Sequence, residues 1–162
     1  MKTLALFVSL LLTAAAAGCR DDGSQVTNPT ATGAKLIVRS GTSFGMCAGY
    51  CLRDLRVDST DLLYTKRSWG RGSSTLPDSL LADTITPLRW AALKETVAAK
   101  YEAFSKLDTI IGCPDCADGG AEWIEIEQGA TVRRVTFEYG KEIPEIKELI
   151  AIVREIRGKF EE

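Results

Sequence analysis

The sequence predicts an α+β domain: a mostly antiparallel β-sheet of about five strands, with two helices packed on one face. Two observations support this fold class. Short segments that alternate apolar and polar residues form two pairs, each joined by turn-forming residues. Two longer segments repeat apolar residues every three or four positions, as helices do. The order is strand, hairpin, helix, hairpin, helix, and an antiparallel sheet of this kind can bury one face under the helices.

The first strand and the first hairpin come from the segments "AKLIVRS", "CLRDLRVD" and "DLLYTKRSW". In the second of these segments Leu55 and Val57 lie two residues apart, so they point to the same side of a strand. The residues "DSTD" at 58–61 are typical of a turn between two strands. The segment "GRGSSTLPDS" at 70–79 is interpreted as a loop, because it lacks the spacing and the lysine of a phosphate-binding loop.

The first helix is predicted for the segment "TPLRWAALKETVAAKYEAF". Thr86 can cap its amino terminus, and Pro87 suits the first helical position. An apolar stripe at helical spacing is interpreted as part of the core. The stripe consists of Trp90, Leu93, Val97, Tyr101 and Phe104.

The second hairpin and the second helix follow. Ile124 and Ile126 alternate with Glu125 and Glu127, and Gly129 marks the turn to a strand that ends near "TFEYG". The glutamates are expected to pair with arginines across the hairpin on its wet face. The closing helix starts near a proline and carries an apolar stripe for the core. That stripe consists of Ile146, Leu149, Ile150, Val153 and Ile156.

The amino-terminal residues 1–18 have the layout of a secretory signal peptide: Lys2, then an apolar run, then small residues. The apolar run is too short to span a bilayer, which needs about 20 residues. The residues "AAGC" ending at Cys19 resemble the box of bacterial lipoproteins, although Ala16 stands where leucine is usual. The resemblance implies cleavage before Cys19, a diacylglyceryl group on its sulfur and an acyl chain, such as palmitate, on the new amino terminus. An ordinary secreted protein is the alternative.

Residues 19–33 are polar and small, and they are interpreted as the lipidated cysteine and a flexible tether before a single domain at 34–162. The residues "RDD" at 20–22 resemble a signal for the outer surface of the cell. The whole chain has a formal net charge of −2. A mildly acidic chain without a basic cluster offers no footprint for nucleic acid.

Composition also limits catalysis. The chain has no histidine, so Ser-His and Cys-His catalysis and histidine-ligated zinc are excluded. It contains neither GxSxG nor a glycine-rich phosphate loop followed by a helix. We therefore predict no catalytic residue and expect a protein that is not an enzyme.

Four cysteines lie in the predicted domain as two close pairs, Cys47 with Cys51 and Cys113 with Cys116. An even number of cysteines in an exported chain favours disulfides, but their connectivity cannot be read from sequence. Both pairs precede strands, so the two loops could meet at one end of the sheet. We expect no cofactor, and one alternative is a zinc site made by the four thiolates. A CxxC thiol–disulfide oxidoreductase is the other.

The segment "DCADGGAE" offers a weaker candidate site for an ion or ligand. Asp115, Asp118 and Glu122 resemble fragments of a calcium loop, although the DxDxDG register is missing. A glycine-rich acidic turn is the alternative interpretation.

The motifs "FGMCAGYC" and "IGCPDCADGGAEWIEI", followed by "VTFEYG", resemble an uncharacterised family of exported bacterial proteins, often predicted lipoproteins. The resemblance covers roughly residues 34–155. It implies a fold and a location in the cell envelope, but no catalytic residue. We therefore expect a lipoprotein of the bacterial cell envelope, anchored to the outer membrane on its periplasmic or surface side. Its disulfide-stapled domain would bind an unknown protein or small molecule.

Overall fold

The computed structural model describes residues 35–69 and 76–161. They form seven strands and two helices, so the α+β class is confirmed. The elements in chain order are β1 Leu36–Ser43, β2 Leu52–Asp58, β3 Asp61–Arg67, β4 Ser79–Thr84, α1 Pro87–Lys106, β5 Ile110–Ile111, β6 Ala121–Gln128, β7 Thr131–Glu138 and α2 Lys147–Gly158.

The sheet is larger than predicted, and it is mixed. Its strand order is β4-β3-β2-β1-β6-β7-β5. Neighbouring strands are antiparallel except β5, which runs parallel to β7. The prediction of about five strands is therefore wrong in number, because it missed β4 and β5 at the two edges. Helix α1 joins these two strands, so it carries the chain from one edge of the sheet to the other.

Both predicted hairpins are confirmed. Strands β2 and β3 pair so that Asp58 lies opposite Asp61, which leaves a two-residue turn. Ser59 in that turn has a φ of 59°, in the left-handed region that such turns require. In the β6–β7 turn the left-handed position is filled by Gly129, with a φ of 60°.

The local signals for the helices are also confirmed. The hydroxyl of Thr86 accepts a hydrogen bond from the backbone N–H of Arg89 at 3.1 Å, and Pro87 begins α1. On α1, Leu93, Val97 and Phe104 are buried. Every residue of the predicted stripe at 146–156 is buried, with the first of them in a short 3₁₀ turn that precedes α2.

Alternation along the strands gives the sheet two different faces. Strand residues that point to the same side of the sheet as Val38 in β1 and Ile126 in β6 form one core with the helices. On the strands, that core consists of Val38, Leu55, Val57, Leu62, Tyr64, Ile124, Ile126, Val135 and Phe137.

Strand residues that point to the opposite side of the sheet form a second face, on which no helix of the described part of the chain packs. We call it the open face. It carries Arg39, Asp54, Arg56, Leu63, Leu80, Trp123, Glu125, Glu127, Val132 and Arg134.

The middle of the open face has no side chain of its own, because Gly41 of β1 lies between Asp54 and Trp123 in the pairing of the strands. A Cβ atom at this position would collide with the indole of Trp123 and with the carbonyl oxygen of Arg53. Glycine therefore lets the indole lie flat across the sheet, and Trp123 is buried although neither of the two described helices covers it.

Candidate functional site

The four cysteines of the domain form two local pairs at disulfide distance. Cys47 pairs with Cys51 at a Cα–Cα distance of 5.6 Å, and Cys113 pairs with Cys116 at 5.5 Å. Both distances suit a disulfide bond. The structure thus selects the local connectivity among the three that the sequence left open. Each bridge joins residues only four or three positions apart, so it constrains the unfolded chain little.

The two cysteine loops meet at one end of the sheet, as predicted. The rings of Phe44 and Tyr139 make an edge contact with centroids 4.9 Å apart. The backbone N–H of Gly45 donates to the Asp115 carboxylate at 3.0 Å. A side chain at Gly45 or Gly120 would collide with Asp115 or with Phe44, so both glycines are needed for this contact. We call this region the cystine end.

The candidate ion site does not assemble in the structure. Asp115 accepts the hydrogen bond from the other cysteine loop, whereas Glu122 lies on the buried face of β6. Across the described residues 35–69 and 76–161, no group of three or more acidic or cysteine side chains is placed to hold a metal ion. All four cysteine sulfurs of the domain are engaged in the bridges. The zinc alternative therefore stays a prediction for a reduced chain, and elemental analysis of protein purified without chelator tests it.

Glu122 is the centre of a buried ion cluster, which is not among the sites predicted from the sequence. Its carboxylate is fully buried and accepts hydrogen bonds from Arg154, at distances from 2.7 to 3.2 Å, and from Arg157 at 2.9 Å. Arg157 is also buried; it donates to the hydroxyl of Ser40 at 2.9 Å and pairs with Glu161 at 3.2 Å. The cluster fixes α2 to the middle of the sheet.

Opposing effects act on the pKa of Glu122. Burial raises the pKa, but the hydrogen bonds from Arg154 and the charge and hydrogen bond of Arg157 outweigh it. The net effect lowers the pKa below its ordinary value, so the carboxylate stays ionised. A fully buried carboxylate that is held by two arginines suits a structural role, because it is shielded from any ligand.

The open face carries a second, accessible network of charges. Arg39 of β1 donates to Glu125 at 2.7 Å and lies 3.6 Å from Glu127. Arg134 lies opposite Glu125 in the second hairpin, 3.8 Å away. The predicted pairing of glutamates with arginines is therefore confirmed for Glu125. The guanidinium of Arg134 also stacks on Trp123, 3.7 Å from the ring centroid, as in a cation–π contact.

Asp54 lies next to this network and is different from its neighbours. Burial raises the pKa of Asp54, and the charges of Arg67, Arg39 and Arg134 only partly offset that effect. Within the described part of the chain, no side chain or backbone group donates a hydrogen bond to its carboxylate. Asp54 is thus a half-buried carboxylate at the centre of the open face that accepts no hydrogen bond from residues 35–69 or 76–161.

Two comparisons with known proteins found no match. No protein-family model matches the chain, and no curated protein is significantly similar to it. The resemblance drawn from the cysteine motifs stays a prediction. Cys19, the signal peptide and the tether lie outside the described residues, as does most of the predicted loop at 70–79. In the part of the chain that the structure describes, no helix is long and apolar enough to cross a membrane.

Proposed function

We propose that this chain is a lipid-anchored protein of the bacterial cell envelope whose domain binds a protein partner through the open face. The proposed location in the cell envelope rests on the signal-peptide pattern and on Cys19. Two cysteine pairs at disulfide distance are consistent with it, because disulfides persist in exported proteins and are rare in the cytosol.

The observation that carries the binding proposal is the composition of the open face. Its centre holds arginines paired with acids around a tryptophan, and its margins hold exposed apolar side chains. Leu80 on one side and Val132 on the other are 62% and 56% exposed. Arginine is enriched among the residues that contribute most to protein–protein binding. Trp123 is itself buried, and its ring supports the guanidinium of Arg134. The mixture of paired charges and accessible apolar groups favours a polypeptide partner.

The charges on the open face also decide against a highly charged ligand. Arg39 is satisfied by Glu125, and Arg56 by Asp58 at 2.6 Å. A polyanion such as a nucleic acid needs cations that are free to contact phosphates. A protein partner carries charges of both signs. Its acidic and basic side chains can each replace one member of an ion pair on the open face.

A site-specific photocrosslinker tests the proposed surface in intact cells. We expect a crosslinker at Leu80, on the open face, to give a discrete adduct that contains one protein. Leu88 is the matched control, since it is an exposed leucine on α1, in the layer that covers the other face. Adducts of equal yield at both positions, or none at Leu80, would contradict the proposal.

A separate prediction tests the anchor. Replacing Cys19 with serine removes the sulfur that would carry the diacylglyceryl group, so the precursor should stay unprocessed or leave the membrane fraction. Incorporation of radiolabelled palmitate should be lost at the same time. Cys47→Ser is the control, because it removes an exposed cysteine of the domain and should leave labelling unchanged. Membrane association and palmitate labelling of Cys19→Ser equal to the wild type would show that Cys19 is not lipidated.

A further inference from the structure

The two disulfides of the cystine end lie in different surroundings. In the first, Cys51 is 1% exposed, so one partner of that bridge is buried in the domain. In the second, Cys113 and Cys116 are both exposed. A thiolate must reach a disulfide sulfur from outside to exchange with it. Both cysteines of the second bridge are exposed to such attack, whereas only Cys47 is exposed in the first.

The backbone around the second bridge is strained. Four residues other than glycine have a positive φ in the described part of the chain, and three of them lie here. They are Asp115 at 63°, Ala117 at 51° and Asp118 at 60°. Residues with a Cβ atom are disfavoured in this region, and such strain is found where a surrounding constraint imposes it. Asp115 lies inside the short ring that Cys113 and Cys116 close, and Ala117 and Asp118 follow that ring directly.

An open groove of about 290 Å³ lies against the second bridge. Cys113 and Cys116 form part of its wall, and Glu138 and Tyr139 of the β7 end form another part. Glu138 accepts a hydrogen bond from the backbone N–H of Cys113 at 2.9 Å, which holds the cysteine loop against the groove. An incoming thiol therefore has room beside the sulfur atoms, on a surface that the fold keeps in place.

We propose that the Cys113–Cys116 bridge is a thiol–disulfide exchange site for dithiols, whereas the Cys47–Cys51 bridge is a structural staple. A thiolate of the dithiol attacks one sulfur of the bridge and displaces the other as a thiolate, which takes up a proton. The second thiol of the dithiol then attacks the mixed disulfide. The protein gains two electrons and two protons as a dithiol, and its partner leaves as a disulfide.

The bridges can be compared within one molecule. Folded, lipid-free protein is treated with a limiting amount of dithiothreitol, quenched by alkylation at timed intervals and digested for mass spectrometry. We expect Cys113 and Cys116 to be labelled at least tenfold faster than Cys47 and Cys51. Equal rates, or faster labelling of the first pair, would overturn the proposal, since reduction would then follow general unfolding or other access.

A glycine variant separates strain from exposure. Ala117→Gly removes the Cβ atom at a left-handed position, so it should stabilise the oxidised loop and slow its reduction severalfold. Ala48→Gly is the matched control inside the other cysteine loop, because Ala48 has no positive φ. It should leave the reduction of the second bridge unchanged. A reduction rate in Ala117→Gly equal to that of the wild type would overturn the strained exchange site.

Discussion

Replacing Glu122 with glutamine should lower the free energy of unfolding by about 3 kcal/mol or more. The change keeps the shape of the side chain but removes its charge. Arg157 would then lose a charged partner in a site where it is only 3% exposed. Removing one member of a buried ion pair typically costs about 3–5 kcal/mol, because the remaining charge stays buried without compensation. Arg157 keeps Glu161 at 3.2 Å, which places the expected loss at the lower end of that range. Urea unfolding of the oxidised protein measures it.

Glu127→Gln is the matched control for this variant. Glu127 belongs to the same strand but lies on the open face, where its contact with Arg39 is 3.6 Å long. An ion pair that is accessible to water contributes at most about 1 kcal/mol. A loss in Glu122→Gln no larger than the loss in Glu127→Gln would mean that the buried cluster does not hold α2 on the sheet.

The stability difference between the wild type and Glu122→Gln should depend on pH, and the pKa of Glu122 gives the sign of that dependence. The pKa of Glu122 is lower in the folded protein than its ordinary value of 4.5, chiefly because the arginine contacts outweigh burial. The ionised carboxylate therefore stabilises the fold above about pH 4.5, and this contribution is lost as the pH falls through the folded pKa. We expect the stability difference between wild type and Glu122→Gln to shrink as the pH is lowered from 7 to 3.

Regular elements with a long periodic pattern could be predicted from the sequence, and the two edge strands could not. Strand β4 has six residues but is almost entirely exposed, so it shows no alternation of buried and exposed positions. Helix α1 and both hairpins carry repeated local signals, such as the cap at Thr86 and the glycine at 129. Strand β5 consists of Ile110 and Ile111 alone, too few residues to show a period. It is a strand because α1 delivers the chain to the free edge of β7, and this placement depends on tertiary structure.

The buried cluster has a signal in the sequence. Glu122 has the parity of Ile124 and Ile126, which face the helices, and not the parity of Glu125. Arg157 likewise follows Val153 by four residues, so it shares the apolar stripe of α2. An acid and a base that both lie in phase with a core predict a buried pair. Their separation of 35 positions hides the contact itself.

The cystine end could be predicted only in part. That both cysteine loops come together follows from their positions before strands at the same end of the sheet, and the contact of Gly45 with Asp115 confirms it. Which cysteines pair depends on Cα–Cα distances within each loop, and the sequence carries no such distance. On the open face, the pairing of Glu125 with Arg134 within one hairpin could be predicted, whereas the contact of Glu125 with Arg39 depends on which strand lies next to that hairpin.

Replacing Leu93 with alanine should lower the free energy of unfolding by about 2–5 kcal/mol. Leu93 is fully buried on α1, in the middle of the core that the helices share with the sheet. Removing its isobutyl group takes away apolar contacts and leaves a cavity that the strands beneath cannot fill, since they are held by their own pairing. The midpoint of urea unfolding should shift to a lower concentration with an unchanged slope.

Leu88→Ala provides the control, because Leu88 is on the same helix and is 82% exposed. The two variants share the change in helix propensity from leucine to alanine, so their difference isolates burial. The control should lie within about 0.5 kcal/mol of the wild type. A loss below about 0.5 kcal/mol in Leu93→Ala would place that stripe in water. Helix α1 would then offer an apolar surface to a partner, and the proposed binding surface would move from the open face to the helical layer.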